Sequence, residues 1–241
     1  NHGLAENLNL FHTLRKFKAV MTLGLIVEEE MRMAIRKEPS IVYWLGDNLY
    51  LNITNKCTNN CYFCLRNFWR GVGGFNLKLE KDPTISEILS ALQNTINLRY
   101  WKEIVFCGFG EPFMRLDCIL EVSKYVRKNY GKIVNIRVDT NGQGYLVNKG
   151  RKVVEELKEA GVNKLSVSLN AHDRETYLEI CRPSIDGAFE AVLDFVERAK
   201  NIIDVEVTAV TVPEVDFKKF EELAKKLGVK YRIRQYIPCF W

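Results

Sequence analysis

From residue 49 onward, the chain alternates short β-branched runs with longer segments in which apolar residues recur at helical spacing. The strand-like runs lie near 49–53, 103–107, 133–138, 164–169, 203–210 and 230–235. The helix-like segments lie near 84–98, 116–128, 148–160, 187–200 and 216–227. Thr84 and Asp216 suit helix N-caps, and Gly131, Gly161 and Gly228 suit helix ends. This order predicts a parallel sheet whose strands are joined by helical crossovers.

Polar residues inside the strand-like runs refine this prediction. Val134, Ile136 and Val138 alternate with polar neighbours, and the runs at 164–169 and 204–209 show the same period of two. Because successive side chains of a strand point to opposite faces, each strand has one apolar and one polar face. Helices over the apolar faces would leave the polar faces to line a lumen. We therefore predict an α/β fold, a partial (β/α)6 TIM-like barrel; the alternative is an open sheet with one face in solvent.

The first 40 residues follow a different pattern. Val20, Leu23, Val27 and Met31 recur at helical spacing, and Pro39 ends the run. We predict a helical leader or linker over residues 1–40 and a core domain over residues 41–241. The leader carries no residues that indicate chemistry.

Composition restricts the class of protein. The chain has 241 residues, of which 47% are hydrophobic and 27% charged, as in ordinary globular proteins. Its net charge of +5 is only weak support for anionic partners. The apolar stretch at 20–27 is too short to span a bilayer and lacks a signal peptidase site, so we expect a cytoplasmic protein without a membrane partner.

Three of the seven cysteines form a motif. Cys57, Cys61 and Cys64 have the spacing C-x3-C-x2-C, whereas the other four are scattered and do not indicate a second cluster. Grouped thiolates select zinc, copper(I) or iron–sulfur clusters. Structural zinc sites need four ligands, and no fourth Cys or His lies nearby. Three cysteines on a four-iron cluster would leave one iron open to an exogenous ligand.

This motif, placed after the first strand with Phe63 just before the third cysteine, resembles the signature of the radical S-adenosylmethionine (SAM) superfamily. The resemblance covers about residues 45–241. It implies that Cys57, Cys61 and Cys64 ligate three irons of a 4Fe–4S cluster, and that the amino and carboxylate groups of SAM chelate the fourth. Reductive cleavage of SAM would give a 5′-deoxyadenosyl radical that abstracts hydrogen from an unknown substrate. Phe63 would lie beside the adenine.

Other segments match the superfamily residue by residue. Gly108, Gly110, Glu111 and Pro112 resemble its G-G-E-P motif, which contacts the methionyl amino group, although Phe109 replaces a glycine. Further expected SAM contacts are Asn141, in a T-N-G segment, and Ser168 and Asn170, after the fourth strand. The alternative for these segments is turn formation and helix capping. Arg234 and Tyr236 line either the substrate or the adenine pocket, or are structural.

A narrower resemblance concerns residues 49–57 and 64–67, which look most like the TatD-associated radical SAM proteins. It implies a TatD-type nuclease as a partner but supplies no substrate. We expect a small-molecule or nucleotide-like substrate, and a reductant such as flavodoxin or ferredoxin. Two alternatives stay open: a non-catalytic metal- or cluster-bearing module that binds nucleic acid, and an α/β enzyme with a cysteine nucleophile, for which no Cys–His pair is evident.

Overall fold

The computed structural model describes residues 37–236 and contains one large sheet. Its strands and those of a small hairpin are β1 (Val42–Leu45), β2 (Asn48–Leu51), β3 (Gly71–Val72), β4 (Phe75–Asn76), β5 (Glu103–Phe106), β6 (Asn135–Thr140), β7 (Lys164–Ser168), β8 (Asp204–Val210) and β9 (Lys230–Arg234). The large sheet has the order β1-β2-β5-β6-β7-β8-β9. Strand β1 pairs with β2 antiparallel, and all later pairs are parallel.

Helices connect the parallel strands in sequence. They are α1 (Ile85–Ile96), α2 (Leu116–Tyr130), α3 (Gly144–Val147), α4 (Val153–Glu159), α5 (Arg174–Cys181), α6 (Ala188–Ala199) and α7 (Phe217–Leu227), with 3-10 helices at Leu65–Asn67 and Pro112–Arg115. Thr84 and Glu87 form a capping box at the start of α1, and the Asp216 carboxylate accepts from Lys219 N at the start of α7. The predicted α/β partial barrel with six parallel strands is confirmed.

The two faces of the strands have different environments. The apolar residues of β6, β7 and β8 are buried against the helices; among them, Ile136, Val167 and Val207 have no exposed surface. The polar residues between them face a lumen and form ion pairs there, such as Arg137 Nη1 to Glu103 Oε2 at 2.6 Å. The period-two alternation therefore separates a packed apolar layer from a polar lumen.

Several elements are additions to the sequence prediction, among them β1, the β3–β4 hairpin and α5. Strand β1 extends the sheet at its edge, and the hairpin β3–β4 turns at Gly73 and Gly74, whose φ angles are +57° and +79°. Two consecutive positive φ angles are what a tight two-residue hairpin turn requires. Helix α5 begins after Asp173, whose side chain accepts from Thr176 N.

The predicted leader lies outside the described residues except for its last four, which are not helical. Pro39 forms an isolated bridge with Asn76, Ser40 N donates to Asn76 O at 2.7 Å, and Asn76 Nδ2 donates to Lys37 O at 2.8 Å. Since Pro39 disfavours helix before it, this segment is extended along β4. No helix within residues 37–236 is long and apolar enough to cross a membrane.

Candidate active site

The cysteine loop, residues 54–64, follows β2 and carries three free, half-buried thiols. Cys64 N donates to Cys61 O at 3.1 Å, which makes the second half of the loop a tight turn. Cys61 lies close enough to act electrostatically on both Cys57 and Cys64. The structure thus brings the three predicted ligands together at the carboxyl end of the first parallel strand, where barrel enzymes hold their active sites.

Helix α5 supports the cysteine loop from one side. Asn60 N donates to Cys181 O at 3.0 Å and Tyr62 N donates to Ile180 O at 3.2 Å. These bonds satisfy carbonyl groups at the helix C-terminus, which have no partner within the helix. The loop between Cys57 and Cys61 is therefore fixed by main-chain contacts to a segment more than a hundred residues later.

A buried polar network lies beneath the same loop. Asn59 Nδ2 and Gln143 Nε2 both donate to the Tyr177 hydroxyl, at 3.1 and 3.0 Å, and Gln143 Nε2 also donates to Asn59 Oδ1 at 2.7 Å. All three side chains are buried. Because buried amides are costly when unpaired, this network holds the loop in one position.

The segment Gly108–Pro112 supports the loop from the other side. Gly110 N donates to Thr54 O at 2.9 Å, and Glu111 N donates to Lys56 O at 2.7 Å. A Cβ on Gly110 would lie 2.5 Å from the carbonyl oxygens of Thr54 and Lys56, and one on Gly108 would lie 2.0 Å from Asn52 Oδ1. Both glycines are therefore required for close packing against β2 and its loop.

Two neighbours in this segment are also buried. Phe109, which stands where the G-G-E-P motif has a glycine, packs in one apolar cluster with Tyr43, Phe75 and Leu77. Pro112 is the first residue of the 3-10 helix Pro112–Arg115, where its missing N–H is not needed.

The Glu111 carboxyl group is buried and joins two loops. It accepts from Thr140 Oγ1 at 2.7 Å, Asn141 N at 2.6 Å and Phe113 N at 3.1 Å. Burial raises the pKa of Glu111 to about 7, against the lowering effect of those three hydrogen bonds. The predicted contact of Glu111 with the SAM amino group stays a prediction; in the structure this carboxyl group holds the segments after β5 and β6 together.

Asn141 contacts the cysteine loop directly. Its Nδ2 donates to Thr58 Oγ1 at 2.7 Å and lies 3.9 Å from Cys57 Sγ, while Asn59 N donates to the same sulfur at 3.4 Å. N–H groups directed at a cysteine sulfur stabilise its thiolate form when a metal is bound and adjust the redox potential of the centre. Asn141 is therefore a neighbour of Cys57, the first cysteine of the motif. Its contact with SAM stays a prediction.

Ser168 and Asn170 lie at the carboxyl end of β7. Asn170 has φ +60°, and its Nδ2 donates to Ser168 O at 3.3 Å. Its Oδ1 is buried and has no hydrogen-bond partner among the described residues. Ser168 Oγ accepts from Arg234 Nη2 at 3.4 Å. An unpaired acceptor and a hydroxyl beside the lumen are consistent with ligand contacts, as predicted for this pair.

Phe63 is half-buried and packs against the main core. Its ring meets Tyr62 edge to face at 5.5 Å, and the Tyr62 hydroxyl donates to Glu214 Oε2 at 2.7 Å. These contacts orient Phe63, the residue before Cys64. Its contact with the adenine of SAM stays a prediction.

The cysteine thiols are neutral in the protein alone. Burial raises the pKa of Cys57 to about 12 and also raises the pKa of Cys64. The pKa of Cys61 is raised mainly by a hydrogen bond with Cys181 and, second, by burial. Metal binding would therefore release protons. Among residues 37–236, no three His, Cys, Asp or Glu side chains converge on a point where one metal ion would bind. A four-iron cluster does not require such convergence, since each cysteine ligates a different iron.

Comparison with known proteins agrees with this geometry. The model of the family described as the radical SAM superfamily matches residues 51–227. This chain belongs to the radical SAM superfamily. Enzymes of that superfamily use a 4Fe–4S cluster and SAM. The matched region begins in β2, contains the cysteine loop and ends with α7.

Curated relatives are similar over the same region. The chain is 28% identical over 199 residues to GTP 3′,8-cyclase of Corynebacterium glutamicum (strain R), covering 80% of this chain and 50% of the relative. It is 27% identical over 195 residues to the probable GTP 3′,8-cyclase of Methanocaldococcus jannaschii, covering 79% and 59%. The chain thus spans about half to three-fifths of the length of these relatives.

Solved structures share the fold. Methylornithine synthase aligns with a TM-score of 0.56 and 16% identity, covering 79% of this chain and 53% of that one. SuiB of Streptococcus suis, in a structure bound to SAM, aligns with a TM-score of 0.56 and 15% identity, covering 78% and 40%. At these identities the likeness concerns the fold.

The described residues fit the cofactors of the superfamily. The three cysteines provide the donors, two N–H groups point at Cys57 Sγ, and the buried Asn170 Oδ1 lacks a partner nearby. Sequence reasoning missed the support from Asn59, Gln143, Tyr177 and Cys181. Several of their contacts join residues more than a hundred positions apart, and no local sequence pattern predicts them.

Proposed function

We propose that this chain is the catalytic core of a radical SAM enzyme, with a 4Fe–4S cluster on Cys57, Cys61 and Cys64. When bound, the cluster and SAM supply one electron and a sulfonium whose cleavage gives methionine and a 5′-deoxyadenosyl radical for hydrogen abstraction. Membership in this superfamily favours the proposal over a non-catalytic binding module and over a cysteine nucleophile.

The protein's own residues position the cofactors. The loop between Cys57 and Cys64 is fixed by α5, by the Tyr177 network and by the Gly110 main chain. Asn141 lies against Cys57, and we assign Phe63, Gly108, Gly110, Glu111, Pro112, Asn141, Ser168 and Asn170 to the SAM site. Fixed donors and acceptors of this kind orient a cofactor without reorganisation during the reaction.

One observation carries the proposal. Three free thiols lie in a single loop at the carboxyl end of the first parallel strand of a partial barrel, with the spacing C-x3-C-x2-C and inside the region that the family matches. Three ligands suit a cluster with one open iron, whereas a structural zinc site would be closed by four.

The test is reconstitution with iron and sulfide without air, reduction, and addition of SAM. We expect about four irons per chain and formation of 5′-deoxyadenosine. In Cys61→Ala, iron uptake and 5′-deoxyadenosine formation should both be lost. A matched control is Cys118→Ala, since Cys118 is buried in α2 away from the loop. Stoichiometric zinc together with unchanged SAM would instead support the binding module.

The substrate belongs to this proposal as well. We propose a small-molecule or nucleotide-like substrate, with GTP as the first compound to test because it appears in the names of the relatives. The match covers about half of the Corynebacterium relative, so its activity on GTP is a proposal for this chain. Formation of 5′-deoxyadenosine that rises on addition of GTP would support a nucleotide substrate.

A reductant also belongs to the proposal, because the cluster must receive an electron. A cavity of about 380 Å³ beside the cysteine loop is lined by Arg66, Arg70 and Lys78 together with Trp69 and Phe109. Arg70 and Lys78 have no ion-pair partner among residues 37–236, which supports docking of an acidic reductant such as flavodoxin or ferredoxin. Cluster reduction by flavodoxin should then slow with rising salt in the parent chain and less so in Arg70→Gln.

Two finer assignments rest on the sequence. The resemblance of residues 49–57 and 64–67 supports the TatD-associated subgroup, with a TatD-type nuclease as partner. Co-purification of the two tagged proteins tests this pairing. We also propose a cytoplasmic location, which fractionation of cells expressing the native protein tests.

A further inference from the structure

Charged side chains line the lumen face of the parallel strands. On the strands from β5 to β9 they follow the period of two that separates lumen-facing from helix-facing residues. They are Glu103, Arg137, Asp139, Lys164, Asp204, Glu206, Lys230, Arg232 and Arg234. This list holds one more basic side chain than acidic side chains.

All of these charged side chains except Arg234, at the end of β9, form ion pairs within the lumen. Arg137 contacts Glu103 at 2.6 Å and Asp139 at 2.8 Å, and Lys164 contacts Glu103 at 2.8 Å. On the neighbouring strands, Lys230 pairs with Asp204 at 3.0 Å and Arg232 with Glu206 at 2.9 Å. Each of these side chains therefore has a partner of opposite charge.

Arg234, the last residue of β9, is the exception among the described residues. No carboxylate of residues 37–236 lies within 4.0 Å of its guanidinium, whose Nη2 donates a long 3.4 Å bond to Ser168 Oγ. Its Nε is buried and has no hydrogen-bond partner in that part of the chain. Burial lowers the pKa of Arg234, and Asp139, whose charge opposes this effect, is already paired with Arg137. A half-buried guanidinium whose Nε is buried and which has no opposite charge beside it is costly, so an anion is expected there.

Two further unpaired atoms lie on residues around Ser168, the residue that Arg234 contacts and that pairs with Thr208 across β7 and β8. Thr208 Oγ1 on β8 and Asn170 Oδ1 after β7 are buried and without hydrogen-bond partners among the described residues. They are linked to the Ser168 region, since Asn170 N donates to Thr208 O at 2.9 Å and Asn170 Nδ2 to Ser168 O at 3.3 Å. Buried polar groups without partners gather where a ligand is missing.

We propose that Arg234 binds an anionic group of the substrate, a carboxylate or a phosphate, and that the Thr208 hydroxyl bonds a polar group beside it. This inference rests on the proposed function and narrows its substrate to small anionic molecules. The carboxylate of SAM is the competing source of the anion. We assign the anion to the substrate because the SAM carboxylate is expected to be an iron ligand on the cluster.

The test is calorimetric titration of the cluster-loaded protein, saturated with SAM, with inorganic phosphate and separately with acetate. We expect saturable binding of at least one of these ions, weakened about tenfold or more in Arg234→Gln through loss of a charge-assisted hydrogen bond. Arg234→Lys should lie between the two. Arg232→Gln is the matched control, because Arg232 lies two residues earlier on the same face and is paired with Glu206; it should bind like the parent chain.

Three outcomes would overturn the proposal: no saturable binding of either ion, equal binding in Arg234→Gln, or an equal loss in Arg232→Gln. A separate titration with SAM distinguishes an anion of the substrate from the carboxylate of SAM. If Arg234→Gln lowers the affinity for SAM tenfold and leaves ion binding unchanged, the anion belongs to SAM and the proposal is wrong. Failure of the parent chain to take up iron counts against the proposed function alone, since the ion titration can also be carried out on the metal-free chain.

Discussion

The amino-terminal and carboxyl-terminal ends of the barrel lumen differ in how their charges are satisfied. At the amino-terminal end, Glu103 accepts from both Arg137 and Lys164, at 2.6 and 2.8 Å. At the carboxyl-terminal end, among the described residues, Arg234 has no carboxylate partner and Asn170 and Thr208 have unpaired buried oxygens. Since unpaired buried groups cost stability, the first arrangement serves the fold, and the second indicates a place for ligands.

The cysteine loop belongs to the second end but is itself firmly held. Its main chain bonds to α5 and to the Gly110 segment, and Asn59 bonds to Tyr177 beneath it. Polar groups in the barrel therefore have three roles: some pair and stabilise the barrel, some fix the loop, and some are left to contact cofactor and substrate.

The largest effect on stability is expected at the amino-terminal end. Glu103→Gln removes the acid shared by Arg137 and Lys164, and breaking a buried pair of this kind should lower the free energy of unfolding by about 4 kcal/mol. Iron uptake at neutral pH should persist. Glu190→Gln, at an exposed pair with Arg174, is the control and should cost less than about 1 kcal/mol. Urea unfolding measures the free energy of unfolding of both variants. Similar losses in the two would show that the buried pair is worth no more than the exposed one.

Gly110→Ala tests the packing behind the cysteine loop. The added Cβ would lie 2.5 Å from two main-chain carbonyl oxygens, so the loop must shift, at a cost of about 3 kcal/mol. Iron bound per chain should fall with it. In the control Gly131→Ala, the new Cβ meets nothing within 4 Å, although its φ of +61° carries its own strain. Normal iron content in Gly110→Ala would show that this contact does not position the cysteines.

The buried Glu111 predicts a pH dependence. Its pKa is raised to about 7 in the folded chain, so the protonated form is favoured by folding and the stabilisation is lost as pH rises through that value. Relative to Glu111→Gln, the free energy of unfolding of the metal-free parent chain should fall by about 2 kcal/mol between about pH 5 and about pH 8. Denaturant unfolding at several pH values measures this difference. Parallel curves for the two chains would contradict it.

Tyr177→Phe tests the polar network beneath the cysteine loop. Asn59 Nδ2 and Gln143 Nε2 would each lose the acceptor at 3.1 and 3.0 Å, although Gln143 Nε2 would still donate to Asn59 Oδ1. We expect a loss of about 2 kcal/mol and faster release of iron to a chelator. Tyr145→Phe, in which a weaker 3.5 Å contact is removed, is the control. Equal rates of iron release in the two variants would show that the Tyr177 hydroxyl does not hold the cysteine loop in place.

Much of the fold was accessible from the sequence because the period-two alternation is local. Residues such as Ile136 and Arg137 occupy the predicted faces, and all six parallel strands occur close to the predicted ranges. Strand β1 and the β3–β4 hairpin escaped prediction, and in the hairpin the two-residue strands are too short to show a period. The Gly73-Gly74 turn was the available signal for the hairpin.

The site was accessible only in part. The cysteine spacing and the order of the loops after each strand predicted which residues gather at one end of the barrel. The contacts of Tyr177 with Asn59 and of Cys181 with Cys61 depend on where α5 docks, and the missing partner of Arg234 depends on three neighbouring strands at once. Such facts arise from tertiary packing, which a single sequence does not display.

We propose that Cys57, Cys61 and Cys64 hold a cluster with one iron open to SAM. The most direct measurement is the electron paramagnetic resonance spectrum of the reconstituted, reduced protein before and after addition of SAM. We predict a reduced-cluster signal that changes on SAM binding, and no such signal in Cys61→Ala. An unchanged spectrum with SAM, or a protein that takes up zinc and gives no reduced-cluster signal, would contradict the account.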